Sequence, residues 1–290
     1  MSKSAPPAPA VTLQHHLPDL RAGQSVELLK ELHILTRDGR INQDSRRKLK
    51  QVNHLLQFIE PLLAEVLAAQ AEVTLADHGA GKSYLGFMLY DLFFKDKPAG
   101  AVLGVESRAE LVQHSRALAQ RLGFTRMSFL AGTVQQALTH PQLPARIDVV
   151  TALHACDTAT DDAIAFGLAR QARFMVLVPC CQAEVAGVLR QHKALNLRRT
   201  PLAELWRHPL HTRELGSQIT NVLRCLLLQA QGYSVTVTEL VGWEHSMKNE
   251  LILARRVQPD QPDQRAQART RLQQLLQTFD LQALGPRFAA

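Results

Sequence analysis

Cysteine is scarce in this chain, and the four present, Cys156, Cys180, Cys181 and Cys225, share no chelating or disulfide spacing. Without a C-x-x-C pair, neither a disulfide framework nor a tetrahedral zinc module is indicated. Reduced thiols in a cytoplasmic protein are the expectation, with no metal. Aromatic residues make up only 5% of the sequence. Few platforms for stacking unpaired bases are therefore on offer, and Tyr84, Trp206 and Trp243 are the candidates. No run approaches the roughly 18 consecutive apolar residues of a membrane span. The Ser/Pro/Ala-rich stretch 1–10 has no apolar run behind Lys3, so it reads as a disordered lead-in and not a secretory signal.

What is present fits a globular protein. The 290 residues are 46% hydrophobic, enough for one large domain with appendages. Net charge is +7 and the sequence pI is about 9.5. That excess favours an anionic partner such as a structured RNA, although an evenly spread charge is a weak field.

The pattern divides the chain at 24, 71 and 257: a lead-in over 1–24, helices over 25–71, a core over 72–257, and a terminal amphipathic helix over 258–290. Ser25 is placed to cap a helix running to Leu35, and Asn42 or Asp44 a second one. Leu49, Val52, Leu55, Leu56 and Ile59 recur at helical spacing, and Pro61 is expected to kink that helix or start another. From Val73 strands and helices alternate, which argues for a parallel sheet covered on both faces. The expected strands are 73–77, 101–106, 126–130, 147–153 and 174–179, followed by 234–240 and 250–256 joined by a turn at 243–248. Helices are expected near 82–94, 108–122, 158–171, 182–193 and 213–230. Beyond Pro259, Leu272, Leu275, Leu276 and Phe279 share one helical face.

The most informative stretch is Asp77-His-Gly-Ala-Gly-Lys-Ser-Tyr-Leu85, a strand end, a glycine-rich turn and a helix start. A dinucleotide site wants a third small residue at position 84, where Tyr84 is bulky. A phosphate loop wants G-x-x-x-x-G-K-[ST], and Ala76 to Ser83 nearly matches. However, Asp77 lies inside that loop and would repel phosphate. A site for S-adenosylmethionine fits better, because Asp77 suits the ammonium end of that ligand. Glu106 ends the next strand about 25 residues after Gly81. An acid there accepts both ribose hydroxyls, by the logic that places a ribose acid about 20 residues on in dinucleotide folds. The cofactor residues so assigned are Asp77, Gly79, Ala80, Gly81, Lys82, Glu106, Ser107, Gly132, Thr133 and His154. The plainer alternative is an ordinary strand–helix turn with Glu106 as a solvated cap.

Several motifs resemble one family. They are Asp77 to Leu85, Leu153-His-Ala-Cys-Asp-Thr-Ala-Thr-Asp161 and Val178-Pro-Cys-Cys181. Gly39-Arg-Ile-Asn42, Arg46-Arg-Lys-Leu-Lys-Gln-Val52 and Glu244-His-Ser-Met-Lys-Asn249 belong with them, so the resemblance spans about 39–256. The family is a methyltransferase-domain group that includes the glutathione S-transferase C-terminal-domain-containing protein and is related to eukaryotic tRNA 2′-O-methyltransferases. The resemblance implies an α/β, Rossmann-like class I methyltransferase fold. Its sheet would have seven mostly parallel strands and end in an antiparallel hairpin, behind an N-terminal helical extension. The tRNA enzymes also carry zinc-binding modules, which this chain lacks.

Ligands of open α/β sheets bind beyond the carboxyl ends of the strands. The acceptor is thus expected near His154, Asp157, Cys180 and Cys181. Asp157 and His154 are candidate bases, with helix capping as the structural role open to Asp157. Cys180 and Cys181 are candidate nucleophiles toward a pyrimidine, or buried thiols that line the pocket. Arg46, Arg47, Lys48, Arg198, Arg199, Lys248 and Asn249 are the candidate substrate contacts, and a solvated charged face is the alternative. Other open readings are a protein or small-molecule methyltransferase, a non-catalytic module of the same fold, and a phosphate-loop NTPase.

Overall fold

The computed structural model describes residues 20–140, 143–153, 158–179, 183–192, 200–240 and 249–289. Its centre is a seven-stranded sheet in the order β3-β2-β1-β4-β5-β7-β6. The strands are β1 (Thr74–His78), β2 (Ala101–Glu106), β3 (Met127–Ala131), β4 (Val149–Leu153), β5 (Phe174–Val178), β6 (Tyr233–Glu239) and β7 (Glu250–Arg256). β1 to β5 are parallel, and β7 lies antiparallel between β5 and β6. This is the Rossmann-like arrangement of class I methyltransferases, with the antiparallel pair at its end.

Parallel strands covered on both faces are apolar throughout, and Phe-Met-Val-Leu-Val of β5 is buried at every position. One face carries α1 (Val26–Glu31), α2 (Gln43–Ala69), α3 (Tyr84–Leu89) and α4 (Ala109–Arg121). These helices share a core with Leu75, Val149 and Val176. The other face carries α5 (Val134–Thr139), α6 (Ala159–Ala169), α7 (Glu184–His192), α8 (Pro209–Ala230) and α9 (Pro262–Thr278). There Ala76, Val150 and Leu177 meet Phe166, Leu189 and Leu223. The alternation of strand side chains thus sorts neighbouring residues into two cores.

Three expectations change. α1 stops at Glu31 rather than Leu35, because His33 takes a left-handed φ of 55°. α2 runs through Pro61 as one helix of 27 residues, capped by Asn42, whose side chain accepts the Ser45 N–H at 2.8 Å. Leu55, Leu56, Ile59, Leu63 and Val66 stay buried on one stripe across the proline, and this burial offsets the missing backbone hydrogen bond. α8 begins at Pro209, four residues before the expected start, with proline in the first turn where its absent N–H costs nothing. α9 buries Leu272 and Leu276 fully and Leu275 and Phe279 in part, as its spacing indicates.

Candidate functional site

Pairing in register brings the carboxyl ends of three strands side by side. Asp77 lies opposite Gly104, and Glu106 opposite Ala131. The turns after β1, β2 and β3 therefore open at the same edge of the sheet, carrying Asp77 to Lys82, Glu106 with Ser107, and Gly132 with Thr133.

The first turn is built from left-handed residues: Gly79 (φ 64°), Gly81 (φ 57°) and Ser83 (φ 53°). Glycine adopts that region freely, whereas Ser83 pays a steric penalty of about 1 kcal/mol. The Ala80 N–H donates to the Val105 carbonyl at 3.1 Å, and the Ser83 N–H to the Ala80 carbonyl at 2.7 Å. α3 then presses onto β2 through Gly86. A Cβ there would lie 2.7 Å from Ser83 Oγ and 3.5 Å from Val102 Cγ1. The close helix–sheet approach sought at position 84 occurs two residues later. A glycine inside an apolar helical run, at a cost of about 1 kcal/mol, was the available sign of it.

Asp77 and His78 point to opposite faces of β1. Asp77 is buried and accepts the Thr151 hydroxyl at 2.8 Å. Burial pushes its carboxyl up to about 7, against the opposing effects of Thr151 and the Gly86 N–H. His78 packs on Phe166 with ring centres 5.6 Å apart, and neither ring nitrogen has a hydrogen-bond partner among the described residues. Burial pushes its imidazole down to about 4, opposed by the charge of Glu106.

Glu106 is only 7% exposed. Its Oε2 accepts the Gly81 N–H at 2.7 Å and Arg108 Nη2 at 3.3 Å. Its Oε1 accepts Arg108 Nε at 2.9 Å, the Arg108 N–H at 3.1 Å and the Ser107 hydroxyl at 3.3 Å. Burial alone would raise this carboxyl. The bonds from Arg108 and Gly81, with the guanidinium charge, outweigh it and hold the group at about 2. Arg108 was not singled out from the sequence, because a lone arginine at a helix start has no distinguishing spacing.

The remaining assigned residues divide. Gly132 donates its N–H to the Glu106 carbonyl at 3.1 Å. Thr133 is the N-cap of α5 in a reciprocal box with Gln136, so its hydroxyl serves the helix. Lys48 reaches the site from α2, its Nζ 3.4 Å from the centre of the Tyr84 ring. Burial and the nearby charge of Lys82 both lower its pKa. Arg46 and Arg47 lie on the same exposed helical stretch, and Arg47 stands 3.8 Å from Asp44. Asn249 is buried just before β7, and its carbonyl accepts the Leu240 N–H at 2.7 Å. Because β7 runs against β5, its start lies at the same carboxyl edge.

His154, Asp157, Cys180, Cys181, Arg198, Arg199 and Lys248 lie outside the described residues. The strands leading to the first four are paired neighbours, with Leu153 opposite Val178. The N-cap position of α6 is Thr158. Cys225 is a half-buried thiol on α8, pushed up to about 12 by burial and by Glu250.

This arrangement is a poor phosphate loop. The Gly81 N–H is given to a carboxylate and the Ala80 N–H to a carbonyl, where a phosphate cradle needs both aimed at the ligand. It suits S-adenosylmethionine. Glu106 is an acceptor-only group at the end of β2, and among the described residues a Cβ on Gly81 would meet only Arg108 Nη2, at 3.8 Å. The floor of the turn is therefore open to a ligand's close approach.

Residues 47–188 match the family model described as a methyltransferase domain, a stretch holding Lys48, the glycine turn, Glu106 and β1 to β5. The match supports an enzyme of the methyltransferase class. No curated protein matches the sequence. Among solved structures, the chain is similar to magnesium protoporphyrin IX methyltransferase from Synechocystis with bound SAH. That likeness has 15% identity and a TM-score of 0.43 over 80% of this chain and 95% of that one. An SAH-bound methyltransferase from Podospora anserina aligns at 10% identity and a TM-score of 0.47, over 88% and 100% of the two chains. A SAM-dependent methyltransferase from Aquifex aeolicus aligns at 17% identity and a TM-score of 0.38, over 67% and 89%.

Proposed function

We propose that the chain methylates RNA, transfer or ribosomal, with S-adenosylmethionine as donor. The observation that carries the donor site is the meeting of Glu106 with the Gly81 N–H across 25 residues of sequence, at the edge where α/β sheets bind ligands. Glu106 takes the ribose hydroxyls as a paired acceptor, in exchange for Arg108 and Gly81. Gly79, Ala80 and Gly81 give the ligand close backbone approach, with Lys82, Ser107, Gly132 and Thr133 around it. Asp77 lies beneath, and its carboxyl is near its midpoint at neutral pH, so an arriving ammonium group shifts it to the anion.

The cofactor supplies a methyl group already activated on a sulfonium, so the protein's chief task is to position the acceptor. Asp157 or His154, in the segment that follows β4, takes the acceptor's proton. Cys180 and Cys181, which follow β5, line the acceptor pocket or supply a nucleophile. The net charge of +7 and the basic start of α2 support an RNA acceptor.

Calorimetric titration with S-adenosylmethionine, S-adenosylhomocysteine, ATP and NAD tests the donor site. Micromolar binding of the first two, lost in Asp77→Ala, is expected, and ATP binding alone would replace this reading with the NTPase. Methyl incorporation into RNA pools, absent in Asp157→Ala, tests the acceptor.

A further inference from the structure

Two short connections bound the side of the sheet assigned to the acceptor. β4 ends at Leu153 and α6 begins at Ala159, while β5 ends at Val178 and α7 begins at Glu184. Pairing fixes the strand ends, with Leu153 opposite Val178. A connection this short has little reach beyond its two ends, so the starts of α6 and α7 govern where the residues after each strand lie.

Three contacts tie those helix starts together. Asp161, the third residue of α6, is held by Arg224 of α8, with Nε–Oδ1 at 2.6 Å and Nη2–Oδ2 at 3.0 Å. Ala186, near the start of α7, lies so close to α8 that a Cβ on Gly216 would stand 2.7 Å from its backbone nitrogen. The third contact joins α6 to α7 directly. Arg287, in a short 3-10 helix (Gln282–Phe288), donates from Nη2 to Glu184 Oε1 at 3.0 Å and holds Nη1 3.7 Å from Asp161 Oδ2. Phe288 beside it is buried in the same core as Leu189 of α7 and anchors this segment.

A guanidinium suits such a bridge, because its rigid planar fork presents separate nitrogens to two carboxylates. Both acids lie in the first turn of their helices, where the dipole favours an anion. Arg224 already compensates Asp161, so what Arg287 adds is the relative placement of the two helix starts. We propose that Arg287 is a positioning residue for methyl transfer, setting the spacing of α6 and α7 and with it the acceptor side of the site. The proposal rests on the methyltransferase reading and deepens it. Arg287 acts through the two helices, and small errors in such supporting geometry cost rate before they cost binding.

The test compares wild type, Arg287→Gln, Glu184→Gln and the double variant, each well below its unfolding temperature. Calorimetry reads S-adenosylhomocysteine affinity, and single-turnover kinetics read transfer of labelled methyl from S-adenosylmethionine to an RNA pool. Each single variant is expected to slow transfer by about tenfold to a hundredfold. The double variant should be no slower than either, because all three lose one and the same contact. S-adenosylhomocysteine affinity should stay within about threefold, since Glu106 and the glycine turn lie on other elements. Wild-type rates in Arg287→Gln would overturn the proposal. So would single effects that multiply in the double variant, or a loss of S-adenosylhomocysteine affinity as large as the loss of rate. If wild type binds no S-adenosylhomocysteine, the methyltransferase reading falls and the role in transfer with it. If it binds but labels no RNA, only the RNA acceptor falls, and amide hydrogen exchange decides the bridge. Exchange about tenfold faster in Arg287→Gln, confined to α6 and α7, would support it, and exchange equal to wild type would overturn it.

Discussion

The Arg108 guanidinium lies across the Glu106 carboxylate, with Nε 2.9 Å from Oε1 and Nη2 3.3 Å from Oε2. Glu106 is nearly buried while Arg108 is 59% exposed on its side chain, so the arginine is the partner free to leave. The acid that would hold the ribose is held in the meantime by its own chain.

That relationship gives opposite expectations for the two partners. An exposed guanidinium contributes little net binding energy, so Arg108→Ala should bind S-adenosylhomocysteine equally well or up to about fivefold tighter. Glu106→Gln loses the paired acceptor and should bind about tenfold weaker or worse. Calorimetry on the two variants checks this. Comparable weakening in both would show that Arg108 supports the ligand instead of yielding to it.

Asp77 and His78 make opposing contributions to the pH dependence of stability. The folded pKa of Asp77 is raised from near 4 to about 7, so its contribution is fully present below pH 4 and lost as pH rises to 7. The folded pKa of His78 is lowered from 6.5 to about 4, so its contribution is present above 6.5 and lost as pH falls to 4. Each slope is about 1.4 kcal/mol per pH unit, and they nearly cancel between pH 4 and 6.5. Urea unfolding of Asp77→Asn should show stability rising with pH across that window, and His78→Phe should show it falling. Parallel profiles for the two variants would refute the assignment.

Arg224 on α8 and Asp161 on α6 form a buried pair, with Nε–Oδ1 at 2.6 Å and Nη2–Oδ2 at 3.0 Å. Arg224 Nη1 also donates to Asn221 at 3.0 Å, and the Asn221 amide to Glu250 at 2.7 Å. Among the described residues, removing Arg224 leaves the buried Asp161 carboxylate only the longer contact to Arg287 Nη1, at 3.7 Å. Arg224→Ala should therefore cost about 3–5 kcal/mol of unfolding free energy from urea titration, and Asp161→Asn combined with Arg224→Met much less. A loss under about 1 kcal/mol for Arg224→Ala would place the pair in contact with solvent.

Gly86 and Gly187 are both helical glycines with opposite surroundings. A methyl at Gly86 meets Ser83 Oγ at 2.7 Å, whereas one at Gly187 meets nothing within 4 Å among the described residues. Gly86→Ala should cost about 1–3 kcal/mol and weaken S-adenosylhomocysteine binding by displacing the turn. Gly187→Ala should be neutral or stabilising by up to about 1 kcal/mol. Thermal melts of both, with calorimetry on the first, make the comparison.

The order of strands and helices was legible because alternation and helical periodicity are properties of neighbouring residues. So was the turn from Asp77 to Tyr84, where glycine spacing states a backbone requirement directly. Glu106 could be named because it ends a strand at a regular distance from that turn. Local pattern does not contain the course of α2 through Pro61, since the burial that holds it comes from the sheet face beneath.

The sequence by itself determined the α/β alternation, the glycine turn and the acid that faces it, because dihedral preference and side-chain alternation act over a few residues. Only the tertiary structure decided the insertion of β7 between β5 and β6, the capture of Glu106 by Arg108 and Gly81, and the approach of Lys48 to Tyr84. It also paired Asp161 with Arg224, 63 residues apart. Such contacts depend on which helix faces pack on which side of the sheet. The energy that selects them is burial summed over both cores, which no short stretch of sequence contains.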